Sequence, residues 1–287
     1  PSTDNCTDKE RSAFLREALA HLSVDVVASM KKQVEILAEI IDEQPVKDVE
    51  KYEAALENIT DQTNALDMAN LFYQIGGRNV IIPLLRHPLP QIRWRTACIV
   101  AECCRNNPFC KNLSVADDMF GPLMEIASNN SDFNGKFKAI SAISAIVRDN
   151  QEGINQFEKF NGLNMITQAL DSANEKIIAK TAYLIIALCD TDHSIIGKLV
   201  QTPILESLIL LARLSETFLG EHLMRALLSI IRHHDAAAKE CLKEELGLYD
   251  FIENIISAKS FEDSYEDYVE CSREILEILN KVKTSNM

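Results

Sequence analysis

Glycine and proline are scarce. Nine glycines and eight prolines in 287 residues supply too few turn-formers for an architecture of many short strands, and leave long helices as the natural reading. Tryptophan occurs once, at Trp94, so an array gripping extended peptides with a tryptophan repeated from unit to unit is excluded. Positive charge is in deficit. Against 43 acidic residues stand 29 lysines and arginines, a net charge of −14, and generic binding to a phosphate backbone is disfavoured. No apolar run approaches the ~18 residues of a membrane span; a typical one, "YLIIALC" from Tyr183 to Cys189, is short and bounded by polar residues. GxSxG and HExxH are missing, and Gly76-Gly77 lacks the Lys-Ser/Thr of a phosphate loop. Cys98, Cys103, Cys104 and Cys110 cluster, but no CxxC pair meets a second pair or a suitably spaced histidine, so they read as small packing residues. His233 and His234 before Asp235 close a helix, where an imidazolium would suit the dipole. An enzyme, a metal site and a cofactor are therefore not expected.

What is present is a repeat. Helix-breaking residues open short apolar helices at Gly77, Gly121, Gly162 and Pro203, 44, 41 and 41 residues apart. Basic residues inside longer helices, Arg95, Lys138, Lys180 and Arg225, follow at intervals of 43, 42 and 45. Two independent markers keep step, and "RNNPFCKN" is echoed by "RDNQEGIN" one unit later. An all-helical repeat of about 40–47 residues is the armadillo or HEAT class. The chain is expected to be all-α, a right-handed solenoid of about four three-helix repeats. Residues 66–235 would form the repeats, with capping helices over 1–65 and 236–287 in one continuous domain. The N-terminal caps include "SAFLREALAHL", and Asp132 and Asn174 suit the N-caps of third helices.

Each third helix is apolar over most of its circumference, with a narrow stripe of basic, small and polar residues. At helical spacing Arg95 shares its stripe with Cys98, Glu102 and Arg105 or Asn106. Lys138 shares one with Ser141, Ala145 and Arg148. Lys180 is joined by Tyr183, Ala187 and Asp190, and Arg225 by Ser229 and Arg232. In an armadillo stack the third helices line the concave face, so four cations form a ladder along the groove of an acidic protein. Taken one at a time, each cation reads equally as a partner of a neighbouring carboxylate or as a stem lying over apolar surface. In register across four repeats, they point to an acidic partner.

Several longer stretches carry a resemblance: "ERSAFLREALAHL", "LDMANLFYQIGG", "IRWRTA", "KAISAISAIVRDNQEGINQFEKFNGL" and "KECLKEELGL". In them the chain resembles the armadillo-type nucleotide exchange factors of the 70-kilodalton heat-shock chaperones. The resemblance implies a monomeric co-chaperone whose concave face clasps one lobe of the chaperone's nucleotide-binding domain and promotes ADP release, with no nucleic acid or membrane involved. It places partner contacts on Arg95, Lys138, Lys180 and Arg225, and the stripes add Glu102, Asn106, Ser141, Arg148, Tyr183 and Arg232 as candidate groove residues. An armadillo adaptor for acidic peptides is the alternative. The polar stretch before Arg11 is short for a substrate-release segment. A start, "PSTDNCTDKER", without the pattern of a signal peptide and an end, "KTSNM", unlike a retention signal favour the cytoplasm. The endoplasmic reticulum lumen is the alternative compartment, given sequons at Asn5, Asn58, Asn112 and Asn129.

Overall fold

The computed structural model describes residues 26–43, 45–129, 131–215, 218–259 and 265–284. The capping segment over 12–22 lies outside them. Among the described residues every regular element is helical. Helix α1 covers 26–42, followed by α2 (Val49–Gln62), α3 (Leu66–Phe72), a π-type turn (Tyr73–Gly77), α4 (Arg78–Leu85) and α5 (Pro90–Cys104). The next unit is α6 (Pro108–Ala116), α7 (Phe120–Ser128) and α8 (Phe133–Val147). Then come α9 (Gln151–Lys159), α10 (Gly162–Leu170) and α11 (Glu175–Thr191), and α12 (Ser194–Val200), α13 (Ile204–Leu214) and α14 (Phe218–Ile231). After them α15 (Asp235–Glu240), a 3-10 turn (Glu244–Leu246), α16 (Leu248–Lys259) and α17 (Glu266–Thr284) follow the same short-then-long order.

The turns explain the repeat. Three units reverse direction after their first helix through a residue in the left-handed region, whereas the turn from α12 to α13 is made without one. Gly76 (φ 109°), Asp118 (φ 55°) and Asn161 (φ 58°) occupy that place, spaced one repeat apart. Asn and Asp tolerate the conformation because their short polar side chains bond locally. Asn106 and Asp149, both at φ 52°, repeat the device where a third helix meets the next unit. Two of the glycine markers, Gly77 and Gly162, have a second cause. A Cβ on Gly77 would lie 2.5 Å from the Phe72 ring, and one on Gly162 would lie 2.3 Å from Phe157, so the second helix starts flush against the first.

Caps recur on the same period. Asp132 Oδ1 accepts from the Gly135 amide at 2.8 Å and Asn174 Oδ1 from Lys176 at 3.0 Å, as their positions suggested. First helices are capped by Asn107 on Cys110 (3.3 Å), Asn150 on Gly153 (3.2 Å) and His234 Nδ1 on Ala237 (3.1 Å). Each cap satisfies one amide that the first turn leaves unpaired.

The core runs unbroken from unit to unit. Ile140, Ile143 and Ile146 of α8 are buried, as are Leu184, Ile185 and Leu188 of α11. The third helices stack in order, α5 on α8, α8 on α11, α11 on α14 and α14 on α17, with α2 packed ahead of α5. The second helices form a parallel row that touches far more sparsely. Two depressions open along the third-helix row, one over α5, α8 and α11 and one over α11, α14 and α17, and the face this row presents is called the inner face. No single described helix is long and apolar enough to cross a membrane; α12 and α13 would be so only together, and a 73° bend separates them.

Candidate partner-binding groove

The polar stripe of each third helix emerges on this inner face. Cys98, Glu102, Asn106, Lys138, Ser141 and Arg148 all line one depression of about 420 Å³ between α5, α8 and α11, together with Arg105 and Lys180. A second depression of about 380 Å³ lies between α11, α14 and α17, and holds Arg225, Ser229 and Arg232 with Asp190. Tyr183 stands exposed beside Lys180, whereas Ala187 is buried, so the stripe of α11 is narrower than its spacing suggested.

The four cations are not equivalent. Arg95 is only 15% exposed at its side chain and bonds Glu53 and Glu57 of α2, each at 3.2 Å. It also lies over the Trp94 ring, 4.1 Å from its centroid. Arg225 bonds Glu221 of its own helix at 3.0 Å and Asp267 of α17 at 2.9 Å. Arg232 bonds Glu274 of α17. The outer rungs are thus neutralised within the chain. The sequence register held this signal: Glu53 precedes Arg95 by one repeat, as Asp267 follows Arg225.

The inner rungs differ. Among the described residues neither Lys138 nor Lys180 has a carboxylate within ion-pair distance. Lys138 Nζ donates to the Cys98 thiol at 3.4 Å. Lys180 Nζ lies 5.4 Å from the centroids of both Phe137 and Tyr183. Burial pushes the Lys180 ammonium below its ordinary value, and the charges of Lys138 and Arg105 push it further. Tyr183 in turn shares a 3.3 Å hydrogen bond with His222 Nε2, and Phe218 packs edge-on to the same imidazole. Phe137, His222 and Phe218 did not stand out in the sequence, since aromatic residues on apolar helices read as core. The groove's middle is a pair of unneutralised ammonium groups on an aromatic floor.

The other sequence candidates resolve differently. The seven described cysteines are free. Burial raises Cys104 and Cys110 to about 12 and Cys103 well above its ordinary value, so these thiols are inert packing groups. The helix-end role for imidazolium is corrected. His234 accepts an amide proton at Nδ1 as an N-cap, which requires that nitrogen to be unprotonated. Burial, then stacked His193 at 4.0 Å, lowers His233. Lys111 gave no sequence signal, yet it is buried and donates to the Arg148 carbonyl at the end of α8.

No protein-family model matches the chain. Hsp70-binding protein 1 of Rattus norvegicus is 23% identical over 278 residues, covering 94% of this chain and 78% of the rat protein. The Homo sapiens protein of that name is also 23% identical, with 77% of its length covered. A protein of Mycosarcoma maydis named Hsp70 nucleotide exchange factor FES1 is 28% identical over 134 residues, 47% of this chain and 34% of that protein. Among solved structures, a designed armadillo repeat protein in complex with the peptide (KR)4 superposes with a TM-score of 0.73 at 17% identity, covering 88% of this chain and 99% of that one. Armadillo repeat proteins designed for modular peptide recognition give the same TM-score and identity. The chain is an all-helical armadillo-type solenoid, and the relatives it resembles over nearly its whole length are the Hsp70-binding proteins.

Proposed function

We propose that this chain is a nucleotide exchange factor for a 70-kilodalton heat-shock chaperone, binding the chaperone's nucleotide-binding domain along its inner face and promoting ADP release. The observation that carries this reading is the 94% coverage of the chain by proteins named Hsp70-binding protein 1. The inner face adds a physical basis: Lys138 and Lys180 offer positive charge that no carboxylate of the described chain takes up. Holding one lobe of a two-lobed nucleotide cleft favours its open state, and a ligand shifts such an equilibrium by the difference in its affinity for the two states. No covalent step is required, and the chain acts by binding, as a monomer. The free cysteines fit a reducing compartment and support the cytoplasm as its location.

Release of a fluorescent ADP analogue from the chaperone tests the reading. Saturating protein should accelerate it several-fold; an unchanged rate would remove the proposal. The alternative is an adaptor for extended acidic peptides. The designed neighbour is described as holding a basic peptide, (KR)4, and a groove with cations at its middle would need the opposite charge. Binding to unstructured acidic peptides but not to the isolated ATPase domain would favour the adaptor.

A further inference from the structure

The two depressions on the inner face carry opposite charge. In the first, four cations, Arg105, Lys138, Arg148 and Lys180, face one carboxylate, Glu102, which is already paired with Arg105. In the second, four carboxylates, Asp190, Asp267, Glu270 and Glu274, face Arg225 and Arg232. Asp267 and Glu274 are taken up by those two arginines, and Glu221 also engages Arg225. Asp190 and Glu270 remain without an ion pair among the described residues.

The change of sign takes place on a single helix. Lys180 near the start of α11 lines the first depression and Asp190 near its end lines the second. Ten residues of α-helix separate them by about 15 Å. The screening length at physiological ionic strength is about 8 Å, so the two fields act on a docked surface separately and do not cancel. A uniformly acidic surface covering both depressions would meet attraction at one and repulsion at the other. Like charges set against each other in an interface are strongly unfavourable.

We propose that the inner face is bipolar and takes a dipolar protein surface in one fixed direction, with an acidic strip of the partner against α8 and α11 and a basic group of the partner against α14 and α17. This rests on the exchange-factor reading for the partner's identity, but its charge arrangement is testable without it. Titration calorimetry with the isolated ATPase domain of the chaperone would compare the wild type with K138E/K180E and D190K/E270K at physiological ionic strength. Each reversal should weaken binding by about tenfold or more. Unchanged or tighter binding by D190K/E270K would overturn the proposal, as would unchanged binding by K138E/K180E. The neutral pairs K138Q/K180Q and D190N/E270N give the same test, with smaller losses, should a reversal not fold. If the wild type does not bind the ATPase domain at all, the exchange-factor reading fails, and peptides then probe the groove alone. A peptide with a glutamate block followed by a lysine block should bind more tightly than all-glutamate or all-lysine peptides of equal length. Preference for the all-glutamate peptide would refute bipolarity.

Discussion

Lys180→Met separates what Lys180 does for the fold from what it does for a partner. Methionine follows the lysine side chain as far as Cε, one atom short of Nζ, keeps an apolar stem against the Phe137 and Tyr183 rings, and removes the charge. Two changes oppose each other in the folded state. Lost attraction between the ammonium and the two rings costs about 0.5–1 kcal/mol per ring at a partly exposed site. Relief of burial and of repulsion from Lys138 and Arg105, the causes that lower Lys180, acts in the other direction, as does the thioether's own contact with the rings. The near-cancellation leaves stability within about 1 kcal/mol of the wild type. Binding has no such compensation. A unit charge about 4 Å from a partner carboxylate is worth roughly 1 kcal/mol in full solvent and roughly 4 kcal/mol at the effective dielectric of a protein surface. A half-buried lysine lies between these limits, so the variant should lose about 1.5–3 kcal/mol, raising Kd for the chaperone ATPase domain about 10- to 150-fold. Calorimetric binding and thermal melting of the same preparation measure both quantities. Unchanged affinity, or a loss of stability beyond about 2 kcal/mol, would show that Lys180 serves the fold and not a partner.

The outer rungs should behave in the reverse manner. Arg95→Ala strands the largely buried Glu53 against α5, Glu57 being solvent-exposed, and should cost about 1–2 kcal/mol in denaturant unfolding, and a double-mutant cycle with Glu53→Ala should show a favourable coupling between the two. Asn107→Ala removes both a cap and a 2.9 Å bond to Asn70 Oδ1, and should cost about 1–2 kcal/mol by the same measurement. Gly162→Ala should destabilise by about 1–3 kcal/mol, because its Cβ meets the Phe157 ring; an unchanged melt would mean that the ring moves aside freely. His222 and His87 are both held below the ordinary imidazole value, first by burial. As pH falls through about 6.5 the unfolded chain binds protons that the folded chain refuses, so stability drops on acidification. Urea melts at about pH 7.5 and about pH 5.5 should show that loss, and His222→Phe should flatten it.

Much of this architecture is readable from the chain because it is written in local constraints. Gly162 must be small where Phe157 crosses it, Asp132 must cap α8, and Ile140, Ile143 and Ile146 must turn inward. Each constraint recurs because each unit buries the same face on its neighbour. The inner-face stripe was legible for the same reason, since three or four residues per turn place Lys138, Ser141 and Arg148 together without reference to the rest of the fold. Charge pairing is a different kind of information. Whether Arg95 is free depends on Glu53 and Glu57, three helices earlier in the chain, and whether Arg225 is free depends on Asp267 beyond the last unit considered. A helical period finds which face a cation occupies, while only the packing of neighbouring units decides whether its charge is already used. The ladder of four equal rungs therefore becomes two neutralised ends and a positive middle, with Asp190 and Glu270 adding an acidic zone at one end. That gradient is a property of the stack and of no single helix, so a partner reading the groove reads the order of the units as well as their charge.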